Sequence, residues 1–450
     1  MGNKYQLSGV NFIQMAGDIL LLNLGIILAF LIRFNGQVPM INFEAYLKVL
    51  PFFSLFALFL FNFFGLYHTE NKQWSEVSAS LIVSIILQTL ITIVMVYMFG
   101  KYIFPRTVFL IMPVFQLMLL GLWRWFMLNW ERKNTIPKQI IIIAPYEEAV
   151  GLVKKAENGR DIILGLIVQD KIQANIQKFN ILGTYESLNE ILQNTNFNTI
   201  ILSGNVPEKY KREVLQKCLK YNWEVLLVPG LYEILLSQNQ IDQVDDTLVF
   251  KVGPTANLGR EQIKRIVDFM IASIGILVSL PIMGLVALAI WLDSGRPILF
   301  CQERVSKRGK RFMLYKFRTM VNDAEKKTGP ILAAKKDPRI TRVGGFLRAT
   351  RLDELPQLFN ILKGEMSVVG PRPERPFFVE QFEKEIPEYS YRHLVNPGLT
   401  GLAQVAGKYS TTVEDKIKYD LLYLKGSSLL FDLQIMLQTV KVLFMKDKAS

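Results

Sequence analysis

The sequence has very few of the residues that build most metal and redox sites. It contains two cysteines, Cys218 and Cys301, and two histidines, His68 and His393, among 450 residues. The cysteines lie far apart and in no ligand spacing, which excludes a disulfide framework, a structural zinc site and a CxxC redox motif. Two histidines also argue against a Ser-His-Asp triad or a polyhistidine metal site. We therefore expect any chemistry to depend on carboxylates and cations.

Charged residues are scarce as well, at 20% of the chain, whereas hydrophobic residues make up 50%. This balance excludes a disordered or fibrous protein and is typical of membrane proteins. The net charge of +13 suits nucleic acid, anionic lipid or a phosphorylated substrate. The high hydrophobicity favours lipid and a phosphorylated substrate, so no nucleic acid partner is expected.

Four apolar stretches occupy the first third of the chain. They cover residues 12–32, 49–67, 79–99 and 108–128. Each is close to the length of about 20 residues that crosses a bilayer. The first stretch has no small-residue cleavage site and three more follow it, so it is interpreted as a spanning helix and not as a signal peptide. Residues 1–135 are therefore predicted to form a bundle of four transmembrane helices.

Cations near these stretches indicate the cytoplasmic side of the membrane. They are Lys4 before the first stretch, Lys72 between the second and third, and Arg124, Arg132, Lys133 and Lys138 after the fourth. Arg33, Lys101 and Arg106 weaken the contrast between the two sides. Asp18 lies inside the first helix, where a charge is costly, so it must face a partner or water. The sequence identifies no partner, and a packing role is favoured over transport.

Residues 136–240 show a different pattern, in which apolar, β-branched runs alternate with helical segments. The runs begin at residues 139, 162, 199 and 224, and a helix is predicted over 209–221. This alternation is typical of a parallel α/β sheet. A dinucleotide site would need GxGxxG after the first strand, but Ala144-Pro145-Tyr146-Glu147-Glu148 stands there. We predict a Rossmann-like domain without a working pyrophosphate turn, in a structural or regulatory role.

A polar stretch with several acids is predicted to be a linker over residues 241–263. Lys264 and Arg265 then precede an uncharged segment, 269–292, with Ser279 and Pro281 at its midpoint. The length suits a spanning helix, but the cations on both flanks oppose a crossing. We therefore predict that residues 264–294 form a re-entrant membrane helix, broken at Pro281, that enters and leaves by the cytoplasmic face. A kinked spanning helix is the alternative.

The last segment, 295–450, is predicted to be a compact α+β catalytic domain against the membrane. It opens with a basic cluster between residues 304 and 318, for which contact with anionic headgroups is favoured over phosphate recognition. Asp353 and Glu354 precede Pro356, and seen alone they suit a helix N-terminus. Arg372, between two prolines, forms a rigid cation that suits phosphate binding. Together these features fit phosphoryl transfer between a soluble diphosphate and a lipid phosphate.

Several blocks of sequence then carry a resemblance to a known family. They are QERV at 302–305, YKFRTM at 315–320, DPRITRVG at 337–344, LDELPQLFNILKGEMSVVGPRPE at 352–374 and VNPGLTGLAQV at 395–405. In this order they closely resemble the bacterial sugar transferase family of polyprenyl-phosphate hexose-1-phosphate transferases. The helical bundle and the Rossmann-like domain are similar to the long form of that family.

The resemblance implies roles for individual residues. Asp353 would be the nucleophile that takes hexose-1-phosphate from a UDP-sugar, with UMP leaving, and Glu354 with Asp353 would hold Mg²⁺. Arg372 would bind a substrate phosphate, and the other candidate cations around the site are Lys316, Arg318, Arg339 and Arg348. The roles of Asp337, Asp420 and Asp432 stay open between structure and function. At the helix break the resemblance matches Pro281, while Ser279 is displaced by one residue from the family's pattern.

The same resemblance implies a biological setting. The acceptor would be undecaprenyl phosphate in the bacterial inner membrane, and the catalytic domain would be cytoplasmic. UDP-glucose or UDP-galactose is favoured as the donor, and an N-acetylated or amino-sugar donor stays open. The product would start capsule, exopolysaccharide or O-antigen synthesis. Two alternatives remain, namely an inactive membrane scaffold or regulator of polysaccharide assembly and an NAD-dependent sugar dehydratase. The broad apolar bundle also leaves room for a homodimer.

Overall fold

The computed structural model forms two compact units, Met1–Val228 and Pro229–Ser450. The residues that it describes are 9–67, 72–99, 105–134, 137–156, 161–169, 179–236, 240–244, 247–251, 258–321, 337–407 and 411–445. The finer domain boundaries predicted from the sequence stay predictions.

The first unit begins with four long apolar helices. They are α1 (Gly9–Arg33), α2 (Met40–Phe63), α3 (Trp74–Phe99) and α4 (Val108–Asn134). With one helix of the second unit they make five described helices that are long and apolar enough to cross a membrane. The predicted helical membrane region is therefore confirmed. Its core is apolar and aromatic, with Leu22, Phe61, Ile85 and Met112 among the fully buried side chains.

A buried ion pair joins the first and fourth helices of this bundle. The expectation that Arg124, Arg132 and Lys133 follow the fourth helix is wrong, because α4 continues to Asn134 and includes all three. The Arg124 guanidinium binds the Asp18 carboxylate, and both side chains are almost completely buried. The Tyr67 hydroxyl donates to the same Asp18 oxygen at 2.9 Å. Asp18 thus has the partner that its position in the membrane requires.

The rest of the first unit is a five-stranded parallel sheet, which confirms the predicted α/β architecture. Its strands are β1 (Gln139–Ile143), β2 (Ile162–Val168), β3 (Ile181–Thr184), β4 (Thr199–Ser203) and β5 (Glu224–Val228). Its helices are α5 (Tyr146–Ala156), α6 (Leu188–Asn194) and α7 (Glu208–Tyr221). The strand order is β3-β2-β1-β4-β5, a doubly wound arrangement that reverses direction between β1 and β4. The central strand β1 is buried almost throughout, which explains its run of isoleucines.

The second unit begins with a short helix, α8 (Leu231–Leu236), and an antiparallel pair of strands, β6 (Gln240–Val244) and β7 (Thr247–Lys251). The stretch predicted as a linker therefore contains a hairpin. The two strands are separated by Asp245-Asp246, a two-residue spacing typical of hairpins. The acids had favoured a linker because they lower the hydrophobicity of the whole stretch.

The apolar segment at the start of the catalytic region is one helix, α9 (Leu258–Ser294). Pro281 lies inside it and does not end it, because a proline removes a single helical hydrogen bond while the bonds on either side persist. The predicted break into two arms is therefore not seen, and the re-entrant path stays a prediction. One face of α9 packs into the core of the unit through Ala272, Val286 and Ile290, whereas Leu277 is 75% exposed.

The remaining elements are short and surround this face of α9. The strands are β8 (Leu299–Val305) and β9 (Arg311–Phe317), which pair antiparallel, and β10 (Ser367–Val369) and β11 (Gly398–Thr400), which pair parallel. The helices are α10 (Arg342–Thr350), α11 (Gln357–Lys363), α12 (Pro376–Glu385), α13 (Leu402–Ala406), α14 (Val413–Gly426) and α15 (Leu429–Leu443). Most of them share an apolar core with α9, in which Leu314, Ile361 and Met366 are buried. Val379 of α12 and Leu421 of α14 belong to a second core with Ile234 of α8.

Candidate active site

The acidic pair lies on a tight turn between two helices. A 3₁₀ turn, Leu352–Glu354, joins α10 to α11. Arg351, the residue just before this turn, has a φ of 56°, a left-handed conformation that is uncommon for a residue with a side chain. Pro356 then precedes the first residue of α11. The acids therefore precede α11 and do not belong to its first turn, and Asp353 is only 9% exposed.

Two cations from different elements bind Glu354. Lys316 on β9 places Nζ 2.9 Å from Glu354 Oε1, and Arg372, in the loop after β10, donates from Nη2 to the same oxygen at 3.0 Å. Burial alone would raise the pKa of Glu354, but the two cations outweigh it and hold the pKa well below its usual range. Glu354 is therefore an ionised carboxylate at any physiological pH.

Asp353 has a different electrostatic environment. Burial raises the pKa of its carboxyl above the ordinary value, and so does the charge of Glu354, while Lys316, Arg348 and Arg372 act in the opposite direction. A carboxylate that has lost much of its water and lies among cations is well placed to attack an anionic phosphorus centre. The two adjacent acids thus have distinct environments, one paired with cations and one poorly hydrated.

Further cations are arranged behind the acidic pair. Arg348 on α10 donates from Nε to Thr319 Oγ1 at 2.9 Å and interacts electrostatically with Asp353 and Asp337. Asp337 accepts a 2.8 Å hydrogen bond from Arg339 Nε. Hydrogen bonds from Arg339 lower the pKa of Asp337 to about 2. Asp337 therefore holds an arginine in place, one of the two roles left open by the sequence.

Arg318 is placed apart from this cluster of predicted cations. Its Nη2 donates to the carbonyl oxygens of Ser294 at 2.7 Å and Gly295 at 2.8 Å. The last carbonyls of a helix lack helical partners, so the side chain caps the end of α9. The predicted contact of Arg318 with substrate stays a prediction, whereas Lys316 and Arg372 do meet at Glu354.

The structure also shows polar contacts that tie α9 to the site, and among their residues the sequence analysis did not single out Asp268. Asp268 on α9 accepts hydrogen bonds from Ser367 Oγ at 2.7 Å and from the Val368 amide at 3.1 Å. Lys264, one turn earlier, donates to Asp432 at 2.7 Å. Since β10 runs directly into the Arg372 loop, these bonds connect the apolar helix to the cation. The available signal was an acid four residues after a lysine in an apolar helix.

Comparison with known proteins relates the chain to one family of enzymes. The family model for bacterial sugar transferases matches residues 259–446, and a model described as a CoA-binding domain matches residues 62–229. The glucose-1-phosphate transferase of Caulobacter vibrioides, which is named for UDP-glucose and undecaprenyl phosphate, is 41% identical over 204 residues, or 44% of this chain and 75% of its own length.

Two longer relatives are similar over smaller shares of their length. An N-acetylgalactosaminephosphotransferase of Aeromonas hydrophila, named for its UDP-N-acetylgalactosamine and undecaprenyl-phosphate substrates, is 39% identical over 51% of this chain and 54% of its own length. A glucose-1-phosphate transferase of Klebsiella pneumoniae, named for UDP-glucose and undecaprenyl phosphate, is 39% identical over 48% of each chain. The chain thus spans about half the length of these two curated relatives.

The α/β sheet does not offer the phosphate site that the name CoA-binding domain implies. In such sheets a phosphate binds at the carboxyl ends of the strands where the order reverses, against a helix N-terminus. Here Glu148, in the first turn of α5, lies at that place and accepts hydrogen bonds from Ser203 Oγ at 2.7 Å and Asn205 Nδ2 at 3.1 Å. A carboxylate there would repel a phosphate, so these residues do not fit CoA or a dinucleotide.

Proposed function

The chain belongs to the bacterial sugar transferase family, and we propose on this basis that it transfers a hexose 1-phosphate from a UDP-sugar to undecaprenyl phosphate. The observation that carries the proposal is the buried Asp353 beside a Glu354 that Lys316 and Arg372 bind through one oxygen. The names of the three relatives describe this type of reaction.

The proposed reaction has two steps at one phosphorus atom. A carboxylate oxygen of Asp353 attacks the sugar-bearing phosphorus of the UDP-sugar, the bond from that phosphorus to the bridging oxygen breaks, and UMP leaves with the electron pair. The phosphosugar is then covalently bound to Asp353. An oxygen of undecaprenyl phosphate attacks the same phosphorus, releases the carboxylate and forms the undecaprenyl diphosphate sugar. The cations lower the repulsion between the acid and the anionic substrates.

Mg²⁺ is part of the proposal, and the residues fit it. Mg²⁺ in phosphoryl-transfer sites is commonly bound by one or two carboxylates together with substrate phosphates. Asp353 and Glu354 supply two adjacent carboxylates. Since the described residues contain no cluster of three or more potential ligands, the phosphates of the substrate would have to supply further ligands. Mg²⁺ held by the two carboxylates would screen the negative charge of the diphosphate.

The membrane setting is proposed from the apolar helices and the charges that flank them. Val278 on α9 is 68% exposed, and such an apolar face suits the isoprenoid chain of the acceptor in the bilayer. Nucleotide sugars are cytoplasmic, so the catalytic unit is assigned to the cytoplasmic face of the bacterial inner membrane. The product would start capsule, exopolysaccharide or O-antigen synthesis.

The test is UMP release by the purified full-length chain in the presence of Mg²⁺ and undecaprenyl phosphate. The donors are UDP-glucose, UDP-galactose and UDP-N-acetylgalactosamine, and the variant is Asp353→Asn. Glu380→Gln, the same chemical change at an acid that is 67% exposed on α12, serves as the control. We expect one donor to react, Asp353→Asn to abolish the release and Glu380→Gln to leave it unchanged.

A second readout isolates the covalent step. Without acceptor, the mass of the intact protein should increase by one hexose phosphate in the wild type and not in Asp353→Asn. Release of UMP that persists in Asp353→Asn would refute the assigned nucleophile. No release from any nucleotide sugar by the folded protein would favour a scaffold or regulator instead.

A further inference from the structure

The position of the Arg372 guanidinium depends on the loop that carries this residue. The side chain of Arg372 is 45% exposed, yet its Nη2 meets Glu354 at 3.0 Å. A long exposed side chain has many rotamers, and holding it in one of them costs conformational entropy. The loop that carries it must therefore be fixed, and hydrogen bonds from Gly370 N to Thr400 O (2.9 Å) and from Gly398 N to Pro371 O (2.8 Å) secure its first residues.

Arg372 itself is held by a second, buried arginine. Arg392 donates from Nη2 to the carbonyl oxygen of Arg372 at 2.8 Å. The same nitrogen lies 3.0 Å from Asp420 Oδ2, and the side chains of Arg392 and Asp420 are only 8% and 2% exposed. Nη1 of Arg392 donates to the hydroxyl of Tyr389. The guanidinium is thus held by the phenol at Nη1 and by the Asp420 carboxylate at Nη2, and the same Nη2 reaches the loop.

Stability alone does not explain this pair. Replacing a buried ion pair by apolar residues of similar volume is often neutral or stabilising, because desolvation offsets the attraction. An apolar pair could not donate to the Arg372 carbonyl, however, and a lysine could not reach two acceptors with the geometry of a planar guanidinium. The arginine therefore contributes a hydrogen-bond donor that is held in place by Asp420 and directed at the loop carbonyl.

We propose that Arg392, held by Asp420, is the positioning residue that sets Arg372 against Glu354. This inference rests on the proposed function, in which Arg372 binds a substrate phosphate. The inference also settles on one role for Asp420, which the sequence analysis left open. From α14, Asp420 holds Arg392 and through it the loop of Arg372. Arg392 does not contact the acidic pair and acts only through the loop.

The first test needs no turnover. Hydrogen exchange of the full-length protein in nanodiscs should show faster exchange at Gly370 and Gly398 in Arg392→Lys and in Asp420→Asn than in the wild type. Arg311→Lys, the same change at an arginine that is 57% exposed, is the control. Unchanged exchange at the loop in a folded Arg392→Lys would overturn the proposal. Because Asp420→Asn keeps a side chain of the same size, it provides the measurement if Arg392→Lys fails to fold.

The second test uses UMP release in a double-mutant cycle with Arg372→Gln. A misplacement of about 1 Å can cost on the order of 100-fold in rate, and we expect Arg392→Lys to lower kcat/KM by about 10- to 100-fold. In the Arg372→Gln background the same change should cost less than about threefold, since its target is gone. An equal loss in both backgrounds would show that Arg392 acts on something other than Arg372. If the wild type releases no UMP, the proposed function fails, and the exchange experiment alone decides this inference.

Discussion

Lys316 offers the sharpest test of the charge arrangement at the site. Its Nζ lies 2.9 Å from Glu354 Oε1, and the two side chains are 21% and 13% exposed. Lys316→Met keeps an unbranched side chain that is one atom shorter and removes the charge. A hydrogen bond to a charged group contributes about 1.5–3 kcal/mol, and each 1.36 kcal/mol is about tenfold in rate. If Glu354 must hold its place in the transition state, kcat/KM for UMP release should fall by about 10- to 150-fold.

The pH dependence distinguishes this explanation from a general disturbance. Lys316 is the larger of the two charges that hold the pKa of Glu354 low, so the pKa must rise when the lysine is removed. Lys316 also lowers the pKa of Asp353, so its removal raises the pKa of both acids. In the proposed mechanism both acids must be ionised, and activity is then lost at a higher pH on acidification. We expect the acid limb of the kcat/KM profile to move to higher pH in Lys316→Met.

Lys316→Arg is the matched control, because it keeps a cation near Glu354 and should leave the acid limb near its wild-type position. A wild-type kcat/KM in Lys316→Met would refute the reasoning. So would a large loss of activity with an unmoved acid limb, since it would mean that Lys316 does not act through the charges of the acidic pair.

Three other predictions concern stability. Asp18→Leu or Arg124→Met alone leaves a buried charge and should cost about 3–5 kcal/mol, whereas the double variant should be nearly neutral, as measured by thermal unfolding in detergent. Asp353→Asn should unfold at a higher temperature than the wild type at pH 8, because burial raises the pKa of the Asp353 carboxyl. That advantage should shrink as the pH falls and Asp353 becomes protonated. Arg318→Met should lower the unfolding temperature by removing the cap of α9, and an unchanged temperature would contradict that role.

The sequence predicts the elements well where local patterns decide them. Apolar length is sufficient for the four helices of the bundle, and runs of β-branched residues are sufficient for β1, β2, β4 and β5. Strand β3 was missed because it has only four residues and includes Gly183, which weakens a strand pattern. Acidic residues similarly obscured the hairpin of β6 and β7. Short elements whose stability comes from their neighbours leave little signal in their own composition.

The sequence predicts the chemistry of the site better than its support. Asp353, Glu354, Lys316 and Arg372 were all expected, and the structure brings the two cations to one oxygen of Glu354. Of the residues that hold Arg372, the sequence analysis named Asp420 with its role left open and did not identify Arg392, because buried ion pairs join residues far apart in the chain. The same is true of the pair in the helical bundle. Asp18 and Arg124 are 106 positions apart. Nothing in the local pattern around either residue identifies the other, since the pairing is decided by helix packing.

The support of the site explains how a membrane helix can contribute to chemistry that it does not touch. Asp268 on α9 binds Ser367 and Val368 of β10, and β10 leads within a few residues to Arg372. Arg392 and Asp420 hold the same loop from the other side. Arg372 is therefore fixed both to the helix proposed to lie beside the lipid acceptor and to the interior of the catalytic unit. In the proposed reaction two substrates arrive from different phases, and they would need such a fixed reference, because the acceptor phosphate would have to reach the phosphorus on Asp353 at a set height above the bilayer.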